Sequence, residues 1–474
     1  MAEPAVASRL LDTLQRAERP RPRPVARWPH AHWLAVGTVC LGAFLGQLTA
    51  SVTSLVFPAL EGHFDASFAA VEWVSLAYLL VLVALLAPVG RLSDLVGRKT
   101  VYLGGFGVFA AASLGAGLAG NLGVLIACRA VQAVGGAMMQ ANSVALVARG
   151  VPERAMRTAL GVQAAAQALG LALGPTLGGL LVAHASWRWA FWVNVPIGAL
   201  GMLAGWYLLP RTFPDGRPAR TRDREGRFDL AGLLLLAGAS TALLLALSAA
   251  SGLPLPGWAV AALLAASAAA TLALVRQERR ADRPIVPPGL VNTPGIRAGL
   301  LVALIGYLLL FCPLVLEPAV LAGRGTTAAT AGAAITALPA AFALAATAGG
   351  ALLPRRWSDA ARCRCGALTA AAGLLLLAAL PAPGPWTTAL PLLLTGYGLG
   401  LLLPANNALV MRAIPAQSSA VGGGLVNMVR SLGTAFGTAL PVLAVHQAGA
   451  AAGGRAVLLL LAGVAVLAVR LCRS

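Results

Sequence analysis

Three ionisable side chains lie within long apolar stretches of the sequence: Arg129, Glu317 and Arg430. A charge in such surroundings is costly, so these residues usually face a cavity or a partner. A buried carboxyl can take up and release a proton, because burial penalises its charged form. A guanidinium keeps its charge and can bind an anion. Glu317 is therefore a candidate for proton transfer, and Arg430 could pair with Glu317 or with an anionic ligand.

Amides and hydroxyls in the same stretches could hydrogen-bond a bound molecule, although some of them must face helix contacts instead. The candidates for lining a substrate cavity, together with Arg430, are Gln47, Thr49, Ser51, Asn142, Gln163, Gln167, Asn406, Asn407 and Asn427. No group of His, Cys and carboxylate residues has the spacing of metal ligands or of catalytic residues. We therefore expect no metal, no cofactor and no enzymatic activity.

The composition indicates what surrounds these residues. Hydrophobic residues make up 58% of the 474-residue chain, and charged residues only 11%. A soluble globular chain carries about 25% charged residues, so this chain lacks the polar surface of a water-soluble fold. The formal net charge of +19 could suggest nucleic acid, but the charges lie in short segments between apolar stretches, which is typical of membrane proteins. We expect a lipid bilayer and no nucleic acid as partner.

The apolar stretches are long enough to cross a bilayer, which takes about 20 residues. We predict an all-α polytopic membrane protein with fourteen transmembrane helices, called spans 1 to 14: 33–60, 73–89, 101–119, 122–148, 158–183, 189–209, 230–252, 258–275, 298–321, 328–353, 365–381, 387–411, 418–445 and 456–470. The predicted domains are a disordered basic arm (1–32), a six-helix bundle (33–209), a segment with two inserted helices (210–297), a second six-helix bundle (298–470) and a short tail (471–474).

The arginines indicate how the chain is threaded. With the N-terminus in the cytoplasm, 30 of the 35 Lys and Arg residues fall in cytoplasmic segments and 3 in outer loops. Positively charged loops remain on the cytoplasmic side of a membrane. We therefore predict a multi-pass protein of the plasma membrane with both termini in the cytoplasm. We also expect a monomer.

Two sequence matches indicate that spans 1–6 and 9–14 are related halves. The pattern L-G-x-A-x-G begins at Leu169 in span 5 and again 263 residues later at Leu432 in span 13. The pair 93–94 (Ser-Asp) after span 2 recurs 265 residues later, at 358–359, after span 10. We predict a 6+2+6 arrangement, with a substrate site between the halves near the middle of the membrane.

The segment between spans 2 and 3 reads G-R-L-S-D-L-V-G-R-K, from Gly90 to Lys99. Gly90 and Gly97 permit a tight turn, Asp94 could meet a helix N-terminus or an arginine, and Arg98 and Lys99 hold the cytoplasmic side. The segment resembles the cytoplasmic signature of the major facilitator superfamily. This resemblance implies the major facilitator fold and a cytoplasmic gate that helps hold the outward-facing state.

Span 5 carries a second motif, with Gly170, Gly174, Pro175, Gly178 and Gly179. Glycines at this spacing allow close helix approach, and proline removes a backbone hydrogen bond. The motif resembles the antiporter motif of drug exporters in the superfamily. The segment W-R-W-A-F-W-V-N-V-P-I-G at 187–198 is similar to one in the fourteen-span drug:proton antiporter branch, and the resemblance covers about residues 33–445.

Two further positions bear on proton coupling. Arg129 and Gln132 resemble the R-x-x-Q-G segment of the family, although Ala133 replaces the first glycine. In the family this arginine is linked to proton coupling; the alternative here is a structural pairing. Span 1 departs from the D-x-T-x-x-N-x-x-x-P pattern of the branch, because Thr49 stands where aspartate is expected.

Glu317 is the only acid within a predicted span and could replace the missing aspartate. The repeat offset places it opposite 52–54 of span 1. We therefore predict Glu317 and Arg129 as proton-coupling residues. The alternative is that Glu317, which precedes Pro318, simply lies at the outer mouth.

The resemblance implies export of small amphipathic molecules, such as drugs or natural products, by alternating access in exchange for protons. No nucleotide-binding P-loop occurs. The alternative is a uniporter or a carrier of neutral or anionic solutes, since the acid of span 1 is absent. A receptor or scaffold without transport activity is disfavoured, because no loop exceeds about 20 residues.

The threading can be tested with reporter enzymes fused into the loops. A reporter inserted in 210–229 is expected to be active only in its cytoplasmic form, and one inserted at Arg324 only in its external form. A 210–229 reporter that is active outside the cell would contradict the predicted orientation.

Overall fold

The computed structural model describes residues 18, 20–152, 155–211, 229–250, 255–281, 284, 289, 292–352, 357–380, 384–414 and 419–472. These residues form helices and no strand. The main helices are α1 (Ala31–Phe64), α2 (Trp73–Val96), α3 (Arg98–Gly117), α4 (Leu122–Gly150), α5 (Met156–His184), α6 (Asn194–Leu208), α7 (Leu230–Ala250), α8 (Gly257–Glu278), α9 (Pro294–Ala322), α10 (Ala328–Ile335), α11 (Ala337–Leu352), α12 (Asp359–Ala379), α13 (Pro385–Ala413) and α14 (Ser419–Leu471). Short helices at Arg23–Arg27, Phe68–Val71 and Trp189–Trp192 precede α1, α2 and α6.

Within the described residues, twelve helices are long and apolar enough to cross a membrane. Two differences separate this number from the predicted fourteen. α14 contains both predicted spans 13 and 14, which a break at Gly449 (φ 75°) divides. In α7, the apolar part Leu234–Ala246 is shorter than a full span. The helical membrane fold is therefore confirmed, whereas the number fourteen stays a prediction.

Glycine contacts show that the two bundles share their internal packing. In the first bundle, a Cβ added at Gly105 would lie 2.9 Å from the Gly135 carbonyl oxygen, so α3 and α4 touch backbone to backbone. In the second bundle, Gly366 of α12 faces Gly398 of α13 in the same way. Gly366 follows its counterpart Gly105 by 261 residues, and Gly398 follows its counterpart Gly135 by 263 residues. Because lipid provides no hydrophobic drive for helix association, such close approach supplies packing energy directly.

The contact between α1 and α5 also has a counterpart in the second bundle, and this counterpart gives a more exact offset between the two halves. Gly170 of α5 faces the Phe44 carbonyl of α1, and Gly433 of α14 faces the Leu304 carbonyl of α9. The α1 and α9 residues are 260 positions apart. Pro58 of α1 and Pro318, one of the two internal prolines of α9, have the same offset.

Of the two sequence matches that predicted the repeat, the one between 93–94 and 358–359 does not join equivalent positions of the two halves. Ser93 lies inside α2, where its hydroxyl donates to the Val89 carbonyl oxygen at 2.7 Å. Ser358 is instead the N-cap of α12 and accepts from the Ala361 amide. The residue that occupies the equivalent place at the start of α3 is Gly97, at an offset of 261.

We call the side on which α1 begins the base side and the opposite side the outer side. The bundles meet toward the outer side, where α5 packs on α10 and α11. A Cβ at Gly179 would collide with the Ala328 carbonyl oxygen, and a Cβ at Gly332 with the Pro175 carbonyl oxygen. No helix of the second bundle packs extensively on α4 in the described part of the chain. The halves are therefore closed against each other on the outer side.

The N-terminal arm differs from the prediction of disorder over residues 18 and 20–30. Arg21 Nε donates to the Leu208 carbonyl oxygen at 2.5 Å, and Glu18 Oε1 accepts from the Thr100 amide at 3.3 Å. These contacts attach the arm to the C-terminus of α6 and the N-terminus of α3, where the partial charges of helix ends favour a cation and an anion respectively. Residues 1–17 and 19 of the predicted arm lie outside the described residues.

The outer closure predicts a specific crosslink. The hydroxyls of Thr176 in α5 and Thr336 beside α11 are 2.6 Å apart across the two halves. The double variant Thr176→Cys/Thr336→Cys is expected to form a disulfide on mild oxidation, detectable by peptide mass spectrometry. The control pair Thr176→Cys/Thr347→Cys places the second thiol three turns further along α11 and should not crosslink. Equal yields from both pairs would contradict the closure.

Candidate transport cavity

A cavity lies between the two bundles and is lined by residues of α1, α2, α3, α4, α5, α9 and α14. We call it the central cavity. Its polar lining residues in the described part of the chain are Gln47, Tyr78, Tyr102, Gln140, Ser143, Gln167, Tyr307, Arg430, Ser431 and Thr434. Both halves therefore contribute hydrogen-bonding groups to one space, the place predicted from the repeat.

Three of the predicted cavity residues line this space: Gln47, Gln167 and Arg430. Arg430 donates through Nη1 to Asn427 Oδ1 at 3.3 Å, and its guanidinium lies 4.6 Å from the centre of the Tyr307 ring. The helix offsets of 260 and 263 make Tyr307 the counterpart of Gln47, and Arg430 that of Gln167. Equivalent positions of the two halves thus line the cavity, but they carry amides in the first half and a phenol and a guanidinium in the second.

A second chamber continues the central cavity toward the outer side. The two spaces share Tyr78 and Phe311, and the chamber adds Ser54 and Arg129. Ser54 is the residue that replaces the asparagine of the span 1 pattern. The chamber therefore connects the altered part of α1 with the buried arginine of α4.

Arg129 is held by dipoles and an aromatic ring. Its Nε donates to the Val74 carbonyl oxygen at 2.8 Å, and a terminal nitrogen donates to Gln132 Oε1. Gln132 in turn donates to Ser113 Oγ at 2.6 Å. The guanidinium lies 4.5 Å from the centre of the Tyr78 ring, a favourable cation–π distance. Within the described residues, no carboxylate forms an ion pair with it.

Two predicted cavity residues of α1 face neighbouring helices and not the cavity. The Thr49 hydroxyl donates to Asn194 Oδ1 at 2.9 Å. Asn194 is the asparagine of the 187–198 segment, so this family position contacts the place of the missing aspartate. The Ser51 hydroxyl donates to the Gln47 carbonyl oxygen at 3.0 Å and faces Gly174 of α5. The prediction is therefore corrected for Thr49 and Ser51.

The remaining predicted amides also lie away from the described lining. Asn142 Nδ2 donates to Ser93 Oγ at 2.7 Å and joins α4 to α2. Asn406 Nδ2 donates to the Gly299 carbonyl oxygen at 2.8 Å and joins α13 to α9. Gln163 is buried outside the cavity, and Asn407 and Asn427 are likewise absent from the described lining. Asn142 and Asn406 therefore join helices, whereas Asn407 is half-buried and Asn427 accepts from the cavity residue Arg430.

Glu317 is buried in α9, but it does not line the cavity. Its Oε2 is buried and has no hydrogen-bond partner among the described residues. Gly299 packs against Val410 of α13, and Glu317 follows 18 residues later, which is five helical turns along the same face. The carboxyl therefore lies on the face of α9 that packs on α13. The helix offset of 260 also makes Phe57 its counterpart, which corrects the predicted position opposite 52–54.

The gate motif spans the end of α2 and the start of α3, and the two helices are separated by one residue. Gly90 lies within α2, so only Gly97, with φ 119°, makes the turn. Arg98 begins α3, and the backbone of Asp94 lies in the last turns of α2, while its side chain falls outside the described part. Lys99 Nζ donates to the Leu209 carbonyl oxygen at 2.8 Å and to that of Trp206 at 3.0 Å. The lysine thus caps the C-terminus of α6, where helix dipoles favour a cation.

The antiporter motif has two faces with different partners. Gly170, Gly174 and Gly178 follow one another at one-turn spacing and face α1. Gly179 and the carbonyl of Pro175 face α10 in the other half. One motif therefore holds its own bundle together and also makes the closure between the bundles.

Sequence reasoning missed several lining residues. Tyr307 and Phe311 stack with ring centroids 6.4 Å apart, and Tyr78 and Gln140 face the cavity from α2 and α4. The counterpart relation of Gln47 to Tyr307 could have identified this tyrosine, had the offset of 260 been known. For Tyr78 the sequence gave no indication of a place in the cavity, because an aromatic residue in an apolar helix is usually a packing residue.

Comparisons with known proteins agree with this architecture. The sequence profile of the family described as Major Facilitator Superfamily matches residues 39–438. The chain is 29% identical to a tetracenomycin C resistance and export protein of Streptomyces glaucescens, over 86% of this chain and 75% of that protein. It is 30% identical to a methylenomycin A resistance protein of Streptomyces coelicolor, over 91% and 90%. It is 27% identical to a riboflavin transporter of Clostridioides difficile, over 86% and 87%.

Solved structures share the fold at low sequence identity. The xylose transporter of E. coli in its inward-open conformation superposes with a TM-score of 0.64 at 14% identity, over 94% of this chain and 96% of that one. A bacterial homologue of the human lysosomal transporter Spinster gives 0.63 at 15% identity, over 94% and 97%.

Proposed function

Because the chain belongs to the Major Facilitator Superfamily, and is a membrane transporter and not an enzyme, we propose that it exports small amphipathic molecules in exchange for protons. The observation that carries this proposal is the polar cavity between two related bundles that close against each other on the outer side. A substrate would enter from the base side and leave after the outer contact opens. The resistance and export proteins among the relatives support an exporter.

The orientation of this cycle comes from the arginine distribution. The base side carries the arginine-rich segments and is the proposed cytoplasmic side of the plasma membrane. The structure then corresponds to the state that loads substrate from the cytoplasm. Lys99 and Gly97, which join α3 to α6 and α2 on this side, would move with the first bundle when the base side closes.

For proton coupling we propose Glu317, with Arg129 as the second participant. A buried carboxylate without a partner is costly, and protonation removes this cost. Glu317 lies two residues beyond Val315, which lines the second chamber on the outer part of α9. Opening of the outer side would give the carboxyl access to external protons, whereas the closed state buries it. Substrate and proton would therefore use different faces of α9.

A second candidate function rests on the contact of Thr49 with Asn194. The titratable residue of the span 1 pattern is replaced by a hydroxyl that is already hydrogen-bonded. A carrier of neutral or anionic solutes without proton antiport would not need that acid. The riboflavin transporter among the relatives shows that such similarity also occurs with a transporter not named for drug resistance.

Substrate-dependent proton flux in reconstituted vesicles separates the two functions. Wild-type protein is expected to couple transport to a proton gradient. Glu317→Gln should lose at least about tenfold of gradient-driven transport, because the amide cannot titrate, while substrate exchange without a gradient persists. Glu61→Gln, at the exposed outer end of α1, serves as the control and should behave as wild type. Undiminished gradient-driven transport by Glu317→Gln would remove Glu317 from the mechanism, and gradient-independent transport by the wild type would favour the second function.

A further inference from the structure

The central cavity carries a charge that the other half of the repeat lacks. We infer that the substrate is an anionic aromatic molecule, whose negative group binds Arg430 and whose ring packs beside Tyr307 and Phe311. This inference rests on the proposed export function and specifies its substrate class. The charge is specific to the second half, since the counterpart of Arg430 in the first half is the neutral Gln167.

The first observation is the charge of the lining. Arg430 is the only charged residue among the described residues that line the central cavity. The sequence contains no Asp or Glu between 154 and 214 or between 360 and 474. The ranges of α5, α13 and α14 therefore hold no acid at any position. A cation in this cavity would find a fixed positive charge and no carboxylate from these helices.

The second observation is the state of the guanidinium itself. A guanidinium has five N–H donors, and the only side-chain hydrogen bond of Arg430 among the described residues is the one to Asn427. The guanidinium also lies 4.6 Å from the centre of the Tyr307 ring, a cation–π contact that does not neutralise its charge. Arg430 is thus half-buried and still able to donate to a carboxylate in a bidentate manner, or to the single oxygen of a phenolate.

The third observation is the aromatic wall next to this charge. Tyr307 and Phe311 lie one turn apart on α9 with nearly parallel rings, at an interplanar angle of 17°. Both line the cavity, as does Tyr78 on the facing helix α2. The amides of Gln47 and Gln167 lie in the same lining and can hydrogen-bond neutral polar groups. A flat ring with one acidic substituent matches this set of groups.

The second chamber has the same sign of charge. Arg129 reaches it from α4, with backbone and amide oxygens as partners in place of a carboxylate. Glu317 lies on the other face of α9 and lines neither space. In a medium of low dielectric constant such charges are only weakly screened. The inside-negative membrane potential would also favour outward movement of an anion.

Two dyes with the same xanthene skeleton test the charge preference: fluorescein, which is anionic, and a cationic rhodamine ester. Their binding to purified protein is measured by fluorescence polarisation. Wild-type protein is expected to bind fluorescein at least about tenfold more tightly than the rhodamine ester, because a charge-assisted hydrogen bond contributes that much or more. A preference for the rhodamine ester, or binding of neither dye, would overturn the inference without any variant.

Variants then assign the preference to Arg430. Arg430→Gln, which installs the amide found at the counterpart position, should weaken fluorescein binding about tenfold and leave rhodamine binding unchanged or stronger. Arg430→Lys should retain most of the fluorescein affinity, and Arg455→Gln, exposed at the outer side, should match the wild type. Unchanged fluorescein binding by a folded Arg430→Gln variant would overturn the role of Arg430.

Vesicle transport distinguishes failure of this inference from failure of the export function. Gradient-driven transport of the rhodamine ester but not of fluorescein overturns the anionic substrate class and leaves export intact. Tight fluorescein binding without transport of either dye would contradict export and leave the charge selectivity of the cavity intact.

Discussion

The structure depends on the close approach of helix backbones at glycine. Lipid tails are as apolar as leucine, so burial of apolar surface does not drive helices together in a membrane, and packing must supply the energy. This chain has 54 glycines, and those at 105, 135, 366 and 398 bring helix pairs into backbone contact in both bundles. The contact of Gly179 with the carbonyl of Ala328 uses the same device between the bundles. A contact with little side-chain interdigitation can separate as a rigid surface, which suits an interface that must open.

The scarcity of charge determines where chemistry can occur. Arg129 contacts a carbonyl, an amide and an aromatic ring, and no acid pairs with it in the described part of the chain. Among the described residues, the amide of Asn427 is the one hydrogen-bond partner of Arg430, which faces an open cavity. The two arginines therefore differ in what remains available to a ligand, although both are embedded in apolar helices. Glu317 lies apart from both, on the face of α9 that packs on α13.

Sequence reasoning predicted the helices better than the directions of side chains. Apolar length and arginine placement reflect the solvent, which acts on whole helices, so the spans agree with helices in the structure. The prediction for Gln47, Gln167 and Arg430 agrees with the lining, but Thr49 and Asn406 face other helices, because composition alone does not show which face of a helix meets the cavity. The repeat was detected, but its offset changes from 260 at α1 to 263 at α5. The offsets of 263 and 265 therefore placed Glu317 opposite 52–54 in place of Phe57, an error of about one turn.

The glycine contact between α5 and α10 holds the outer side closed. Spin labels on Glu61→Cys and Arg324→Cys, at the outer ends of the two halves, report the distance between the halves by double electron–electron resonance. Gly179→Leu should shift the distribution toward longer distances, because a side chain there collides with the Ala328 backbone. Gly463→Leu, where no neighbouring atom lies within 4 Å, should leave the distribution unchanged. A distribution that Gly179→Leu does not alter, or that both variants alter equally, would contradict the account.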